Sequence, residues 1–121
     1  MINLIDLEKK INSELTTKIN SSNIKHDQIY LNVNTSNLIE VLSFLKTNKQ
    51  TKFRQLIDIT AVDYPENSKR FKLVYLLLSH EFNNRLVLDC FINENEIIPT
   101  LTSLYPSANW MEREVFDMYG I

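Results

Sequence analysis

Glycine is nearly missing from this chain: among 121 residues there is one, Gly120. Phosphate-cradling loops and dinucleotide-binding turns need several glycines, because only a residue without Cβ lets successive backbone N–H groups close on a phosphate. A P-loop and a Gly-rich nicotinamide or flavin fingerprint are therefore excluded. Cysteine is as scarce. Cys90 stands alone, so there is no disulfide framework and a reducing, intracellular setting is the simpler expectation. Histidine occurs twice, at His26 and His80, with no cysteine or second histidine at metal-ligand spacing, and structural or surface roles are expected for both. No apolar run approaches the roughly 20 residues of a membrane-spanning helix. The expectation is a protein that is soluble or at most peripheral to a membrane. Positive charge is not in excess either: 13 Lys and Arg stand against 15 Asp and Glu, for a net charge of −2. A nucleic-acid surface normally shows a clustered basic surplus, so nucleic acid is discounted as a partner. Asp6, Glu8 and Glu14 among the first residues argue against a transit peptide or secretory signal, and no cleaved leader is expected.

What is present is the balance of a folded domain, with 44% hydrophobic and 23% charged residues. The length suits a single domain over 1–121, without repeats, linkers or low-complexity tracts. Leu4, Leu7, Ile11, Leu15 and Ile19 recur every three or four residues and predict an amphipathic helix over 3–20, ended by the polar Ser21-Ser22-Asn23. Alternation at Ile29, Leu31 and Val33 predicts a strand. A second helix follows through Leu38, Ile39, Val41, Leu42 and Leu45, with Thr35 or Ser36 as its cap and Lys46 and Lys49 at its negative end. Three strands come next, over 53–63, 71–79 and 85–92. The middle one is so continuously apolar that cover on both faces is expected. Asn83-Asn84 suits a tight turn between the last two, since Asn tolerates positive φ. Pro99 begins a short helix over 100–104, which Tyr105-Pro106 interrupts before a final helix. The order is helix, strand, helix, three strands, helix, helix. It implies an α+β fold with a mostly antiparallel four-stranded sheet and helices packed on one face.

Candidate chemistry is thin. Cys90 lies on the apolar face of a strand and reads as a small buried thiol. Asp58, Asp63 and Asp89 would form a carboxylate dyad in a stand-alone enzyme if the sheet brought two of them together; otherwise they end strands and accept local hydrogen bonds. The lysine-rich stretches at 46–52 and 69–72 read as solvated ends.

The terminal stretch is denser. Asn109-Trp110-Met111-Glu112-Arg113-Glu114-Val115-Phe116-Asp117-Met118-Tyr119 predicts a helix capped by Asn109, with Glu112 reaching back in a capping box and Gly120 as its stop. Met111, Val115 and Met118 fall at i, i+4 and i+7 and form its inward stripe. Arg113 and Asp117 are an i, i+4 pair. Glu112 and Glu114 project about 200° apart on a helix, so they cannot act as acid and base on one substrate. Two readings stand: an amphipathic end helix, or an interface helix whose Trp110, Phe116 and Tyr119 anchor a contact.

These residues resemble a known family. The Glu112-Arg113-Glu114 triplet followed by Asp117, Met118 and Tyr119 is similar to the signature of the C subunit of NADH-quinone oxidoreductase, the 30-kilodalton subunit of respiratory complex I. Asp58-Ile59-Thr60-Ala61-Val62-Asp63-Tyr64-Pro65, Phe71-Lys72-Leu73-Val74-Tyr75-Leu76-Leu77 and Pro99-Thr100-Leu101-Thr102-Ser103-Leu104-Tyr105-Pro106-Ser107-Ala108 are similar too. The likeness is good over 50–121 and weak before that. In the family the signature continues with a His, an Arg and a further segment that wraps neighbouring subunits, whereas this sequence ends at Ile121. The resemblance implies the N-terminal domain of a cofactor-free scaffold subunit, with no catalytic residues of its own, in the peripheral arm of a proton-translocating enzyme. NADH, flavin, iron–sulfur clusters and quinone would reside on other subunits. Its main partner would be the large quinone-site subunit, and its location the inner membrane, peripheral, on the cytoplasmic or mitochondrial matrix side. Trp110, Glu112, Arg113, Glu114, Asp117 and Tyr119 would form or support the partner contact. Subunits of membrane-bound hydrogenases belong to the same family and are the alternative.

Overall fold

In the segment Phe71–Ser79 every second residue is buried and those between are half-buried, and that alternation sets the architecture. A computed structural model of the chain describes residues 3–93 and 98–119, with side chains up to 115 in the last stretch. Among the described residues there are three α-helices and a five-stranded sheet. Helix α1 is Leu4–Glu14, strands β1 and β2 are Ile19–Lys25 and Gln28–Val33, and α2 is Leu38–Thr47. Strands β3, β4 and β5 are Gln55–Asp63, Phe71–Ser79 and Asn84–Ile92, and α3 is Ala108–Tyr119. The sheet order is β1-β2-β5-β4-β3. All neighbours are antiparallel except β2 and β5, which run parallel with Ile29 opposite Leu86 and Leu31 opposite Leu88.

The fold is α+β and mostly antiparallel, with one strand more than the apolar pattern predicts. Helix α1 starts where Asn3 accepts a hydrogen bond from the Asp6 N–H at 2.9 Å and stops at Glu14, well short of 20. Thr16 Oγ1 donates back to the Asn12 carbonyl at 2.7 Å, a local bond that competes with helix continuation. The chain then turns outward into β1. That strand has too few apolar side chains to show a pattern of period two, so its existence was hidden until β2 was there to pair with. His26 and Asp27, at φ 52° and 60°, form the two-residue turn between them, the left-handed pair that matches hairpin twist.

Elsewhere the local signals hold with adjusted ends. Leu38, Val41, Leu42 and Leu45 are buried along α2. Thr35 and Ser36 sit in a 3₁₀ turn before it, and Asn37, which precedes the helix, makes no side-chain cap bond. Asn83 takes φ 52° between β4 and β5, as its side chain allows. The expected helix over 100–104 is instead a pair of turns, with the Leu104 and Tyr105 N–H groups donating to the Leu101 carbonyl at 3.0 and 2.8 Å. Pro99 and Pro106 bracket too few residues for helix propagation.

One cluster forms the core. Ile59, Tyr75, Leu88 and Leu31 lie side by side across four strands, beneath Leu7 and Ile11 of α1, Val41, Leu42 and Leu45 of α2, and Val115 of α3. All three helices therefore cover the same face. Strand β4, expected to be covered on both faces, is fully covered by the described residues on one: Val74, Leu76 and Leu78 on the other are half-buried. Its apolar run reflects its central position between two strands and a half-exposed second face.

Candidate functional site

The outer strand β3 and helix α3 meet at one corner of the molecule. Their approach is built by the segment between β5 and α3. Leu101 and Tyr105 of that segment are buried, and the Tyr105 hydroxyl donates to the Phe53 carbonyl at 2.6 Å just ahead of β3. Burial raises the Tyr105 phenol well above its ordinary value, so it stays a neutral donor. Lys46 at the end of α2 donates to the Leu104 carbonyl and lies 5.5 Å from the Tyr105 ring centre. From α3, Glu112 reaches the same segment: its carboxylate accepts from the Leu101 N–H at 2.8 Å and from the Thr100 hydroxyl at 2.7 Å.

Glu112 is thus a clamp within the domain. It is 6% exposed and faces inward, whereas a capping box would have turned its side chain back to the start of its own helix. The helix begins at Ala108, whose N–H donates to the Tyr105 carbonyl at 2.9 Å, which puts Asn109 inside the first turn instead of at the cap. Val115 is buried and Met111 packs against the core, as the stripe predicts; the side chains of Phe116, Asp117, Met118 and Tyr119, and Gly120 entirely, lie outside the described residues. The Arg113 pairing with Asp117 falls there as well. On the outer side of α3, Trp110 is 57% exposed, and Arg113 and Glu114 are exposed. Glu112 and Glu114 therefore point to opposite sides of the helix, in line with their spacing.

Between α3 and β3 runs a groove of about 690 Å³. Its strand side is made by Ile57, Asp58, Ile59, Thr60 and Ala61, and its helix side includes Trp110, Met111, Glu114 and Val115, with Pro106 and Ser107 at the end. Sequence reasoning singled out Trp110 and Glu114 but missed the strand side. A run of Ile57, Ile59 and Val62 with no lysine or proline was the available signal, and only the sheet order shows that this run lies at an edge.

The three aspartates do not come together. Asp58 accepts from the Ile59 N–H at 2.9 Å. Asp63 is held by Arg70 in a two-point pair at 2.7 and 2.9 Å, and that guanidinium lowers its carboxyl below the ordinary 3.8. Asp89 accepts from Asn32 and lies 3.7 Å from Lys72. Asp58 and Asp89 share the open face but stand on strands separated by β4, roughly 10 Å apart by strand spacing alone. Asp63, level with Phe71, belongs to the other face. A dyad is ruled out by register. Cys90 is buried in the core, His80 contacts Gln55 at the surface, and His26 occupies a hairpin turn. Among the described residues no three His, Cys, Asp or Glu are grouped to hold a metal ion, and no helix is long and apolar enough to cross a membrane.

Residues 31–121 match the family described as respiratory-chain NADH dehydrogenase, 30 Kd subunit. The C subunit of NADH-quinone oxidoreductase from Ruegeria sp. (strain TM1040) is 42% identical over 118 residues, covering 98% of this chain and 59% of that protein. The corresponding protein of Roseobacter denitrificans is 47% identical over 98 residues, covering 81% of this chain and 49% of its own length. That of Mesorhizobium japonicum is 36% identical over 118 residues, with 98% and 59% covered. The chain spans about half the length of the curated relatives it matches. Among solved structures, a chain of the membrane-bound sulfane sulfur reductase, an archaeal respiratory membrane complex, superposes with a TM-score of 0.82 at 22% identity. It covers 97% of this chain and 68% of that one, a likeness that shows the fold alone.

Proposed function

The chain belongs to the family of the 30 kDa subunit of respiratory-chain NADH dehydrogenase, also named the C subunit of NADH-quinone oxidoreductase, and from that premise we propose that it is a cofactor-free scaffold in the peripheral arm of such a complex. Its contribution is geometric. Electron transfer and quinone chemistry are sensitive to displacements of about an ångström, and a loosened scaffold degrades them. The large quinone-site subunit is the partner, and the enzyme acts at an inner membrane to which this chain is peripheral. NADH, flavin, iron–sulfur clusters and quinone belong to other subunits.

The observation that carries this reading is the split of the signature helix into two sides. Glu112 is spent inward on Leu101 and Thr100, while Trp110, Arg113 and Glu114 are exposed beside it. An exposed tryptophan flanked by arginine is the composition of an interface anchor. Glu112 supports the contact by holding the helix, and Trp110, Arg113 and Glu114 make it; the proposed contact set also includes Asp117 and Tyr119, whose side chains lie outside the described residues. The names of relatives at 36–47% identity favour the NADH-quinone oxidoreductase over the hydrogenase alternative.

The test uses the full-length subunit in its membrane. Arg113→Ala and Glu114→Ala together should reduce co-purification with the large subunit and NADH:quinone turnover at least tenfold, with the isolated domain still folded. Normal assembly and turnover in the double variant would remove the interface role.

A further inference from the structure

The groove beside α3 is lined by five consecutive residues of β3, 57–61. Successive side chains of a strand point to opposite faces, so a groove lying on one face touches every second residue. Here Ile59 and Ala61 belong to the buried face and Asp58 and Thr60 to the open one, and all line the same space. The groove therefore runs along the strand's outer backbone edge. Strand β3 is the last in the sheet, and among the described residues it pairs with β4 alone. Its other row of N–H and C=O groups faces the groove. The Ile59 N–H is held by the neighbouring Asp58 carboxylate, a local partner of the kind that an incoming carbonyl replaces.

Opposite that polar edge the helix presents Trp110, Met111 and Val115. One wall thus offers backbone hydrogen bonds and the other apolar surface, the pair of features that an added strand needs. The charged residues in the lining, Asp58 and Glu114, are both acidic. We propose that the groove receives an extended segment of the large partner subunit named above, which adds a sixth strand to the sheet beyond β3. Its apolar side chains enter against Trp110 and Met111, and it carries Lys or Arg opposite Asp58 and Glu114. Five paired residues correspond to roughly 17 Å of strand. The proposal rests on the scaffold reading and specifies how the contact is made.

Hydrogen–deuterium exchange on the full-length subunit, free and within the purified complex, tests it. Amides of 57–61 that exchange rapidly in the free subunit are expected to slow at least a hundredfold on assembly, at alternate positions. An assembled complex in which they exchange as in the free subunit overturns the added strand and leaves the scaffold reading standing. A subunit that never assembles overturns the scaffold reading itself, and the strand with it. Asp58→Lys adds a second measurement. The exposed side chain gives up a local bond to the Ile59 N–H, so the urea midpoint of the isolated domain should fall only slightly while retention in the complex falls at least tenfold; retention at the wild-type level overturns the charge assignment and the proposal.

Discussion

The sheet has two outer edges, and they are built from unlike sequences. At one end β1 reads Ile19-Asn20-Ser21-Ser22-Asn23-Ile24-Lys25, polar and mostly exposed, with Asn20 bonding the side chains of Asn32 and Asn34 and Asn12 bonding Ser22. At the other end β3 reads Gln55-Leu56-Ile57-Asp58-Ile59-Thr60-Ala61-Val62-Asp63, with an irregularity in register between Leu56 and Asp58 and an exposed Val62. Edge strands that are to stay unpaired are normally blunted by polar or charged residues, because a bare apolar edge templates association. The β1 edge follows that rule. The β3 edge has exposed Asp58, Thr60 and Asp63 and a register irregularity, but it also carries a half-buried Ile57 and an exposed Val62 and lies beside the exposed Trp110. The β3 edge borders the groove beside α3, and under the proposal above it is the edge that a partner completes.

The largest effect should come from the core both edges share. Leu31→Ala, on β2 between β1 and β5, removes a fully buried side chain and should destabilise the domain by about 2–5 kcal/mol, read as a drop in the urea midpoint. If the cost is far smaller, β1 and β2 are not part of the same cooperative unit as β3. Next, Glu112→Ala should act on the β3 side only. It leaves the buried Leu101 N–H without its acceptor, at a cost of about 1.5–3 kcal/mol. Exchange should accelerate at Leu101 and Tyr105 while the β1–β2 hairpin is unchanged, and Glu112→Gln should recover part of the loss.

Swapping the character of the edges should matter little to stability and much to association. Asn23→Val, at an exposed position, is expected within about 0.5 kcal/mol of wild type, and Ile57→Lys, at a half-buried one, to cost about 1 kcal/mol. Light scattering of the isolated domain should fall for Ile57→Lys and rise for Asn23→Val. Equal scattering from all three proteins would mean that the two edges do not differ in exposure.

The smallest effect is electrostatic. Arg70 holds Asp63 below its ordinary 3.8, mainly by a side-chain hydrogen bond, at the exposed far end of β3. A depressed carboxyl stabilises the fold above the unfolded value, and that stabilisation disappears as pH falls through the folded value. Arg70→Gln should therefore be slightly less stable than wild type at pH 7 and indistinguishable from it at about pH 2. A gap that persists in acid would assign the role of Arg70 to its stacking on Phe71, whose ring centre is 5.3 Å away.

Much of the fold is legible without the tertiary structure. The apolar stripe of α2, the alternation of β2 and β5, the whole of β4 and the Asn83 turn are local, period-driven features, and they appear within a residue or two of where the pattern puts them. Strand β1 was not legible, because an edge strand with little burial need carry no hydrophobic period. The turns at 100–104 resembled a helix start because Pro99 favours one, and the carboxylate of a distant Glu112 took the Leu101 N–H instead. In the final helix the spacing of Glu112 and Glu114 was enough to set them on opposite sides, while the choice of inward and outward side was not written there.

The order of residues by itself determined which stretches bury a face, that no glycine-rich nucleotide loop exists, and the signature that places the chain in its family. Those properties depend on composition and on neighbours within a turn or two. The tertiary structure alone decided that β3 lies at the edge, that Asp58, Asp63 and Asp89 stay apart, and that Glu112 closes onto Leu101. Strand order and register join residues far apart in sequence, and no local period carries that information.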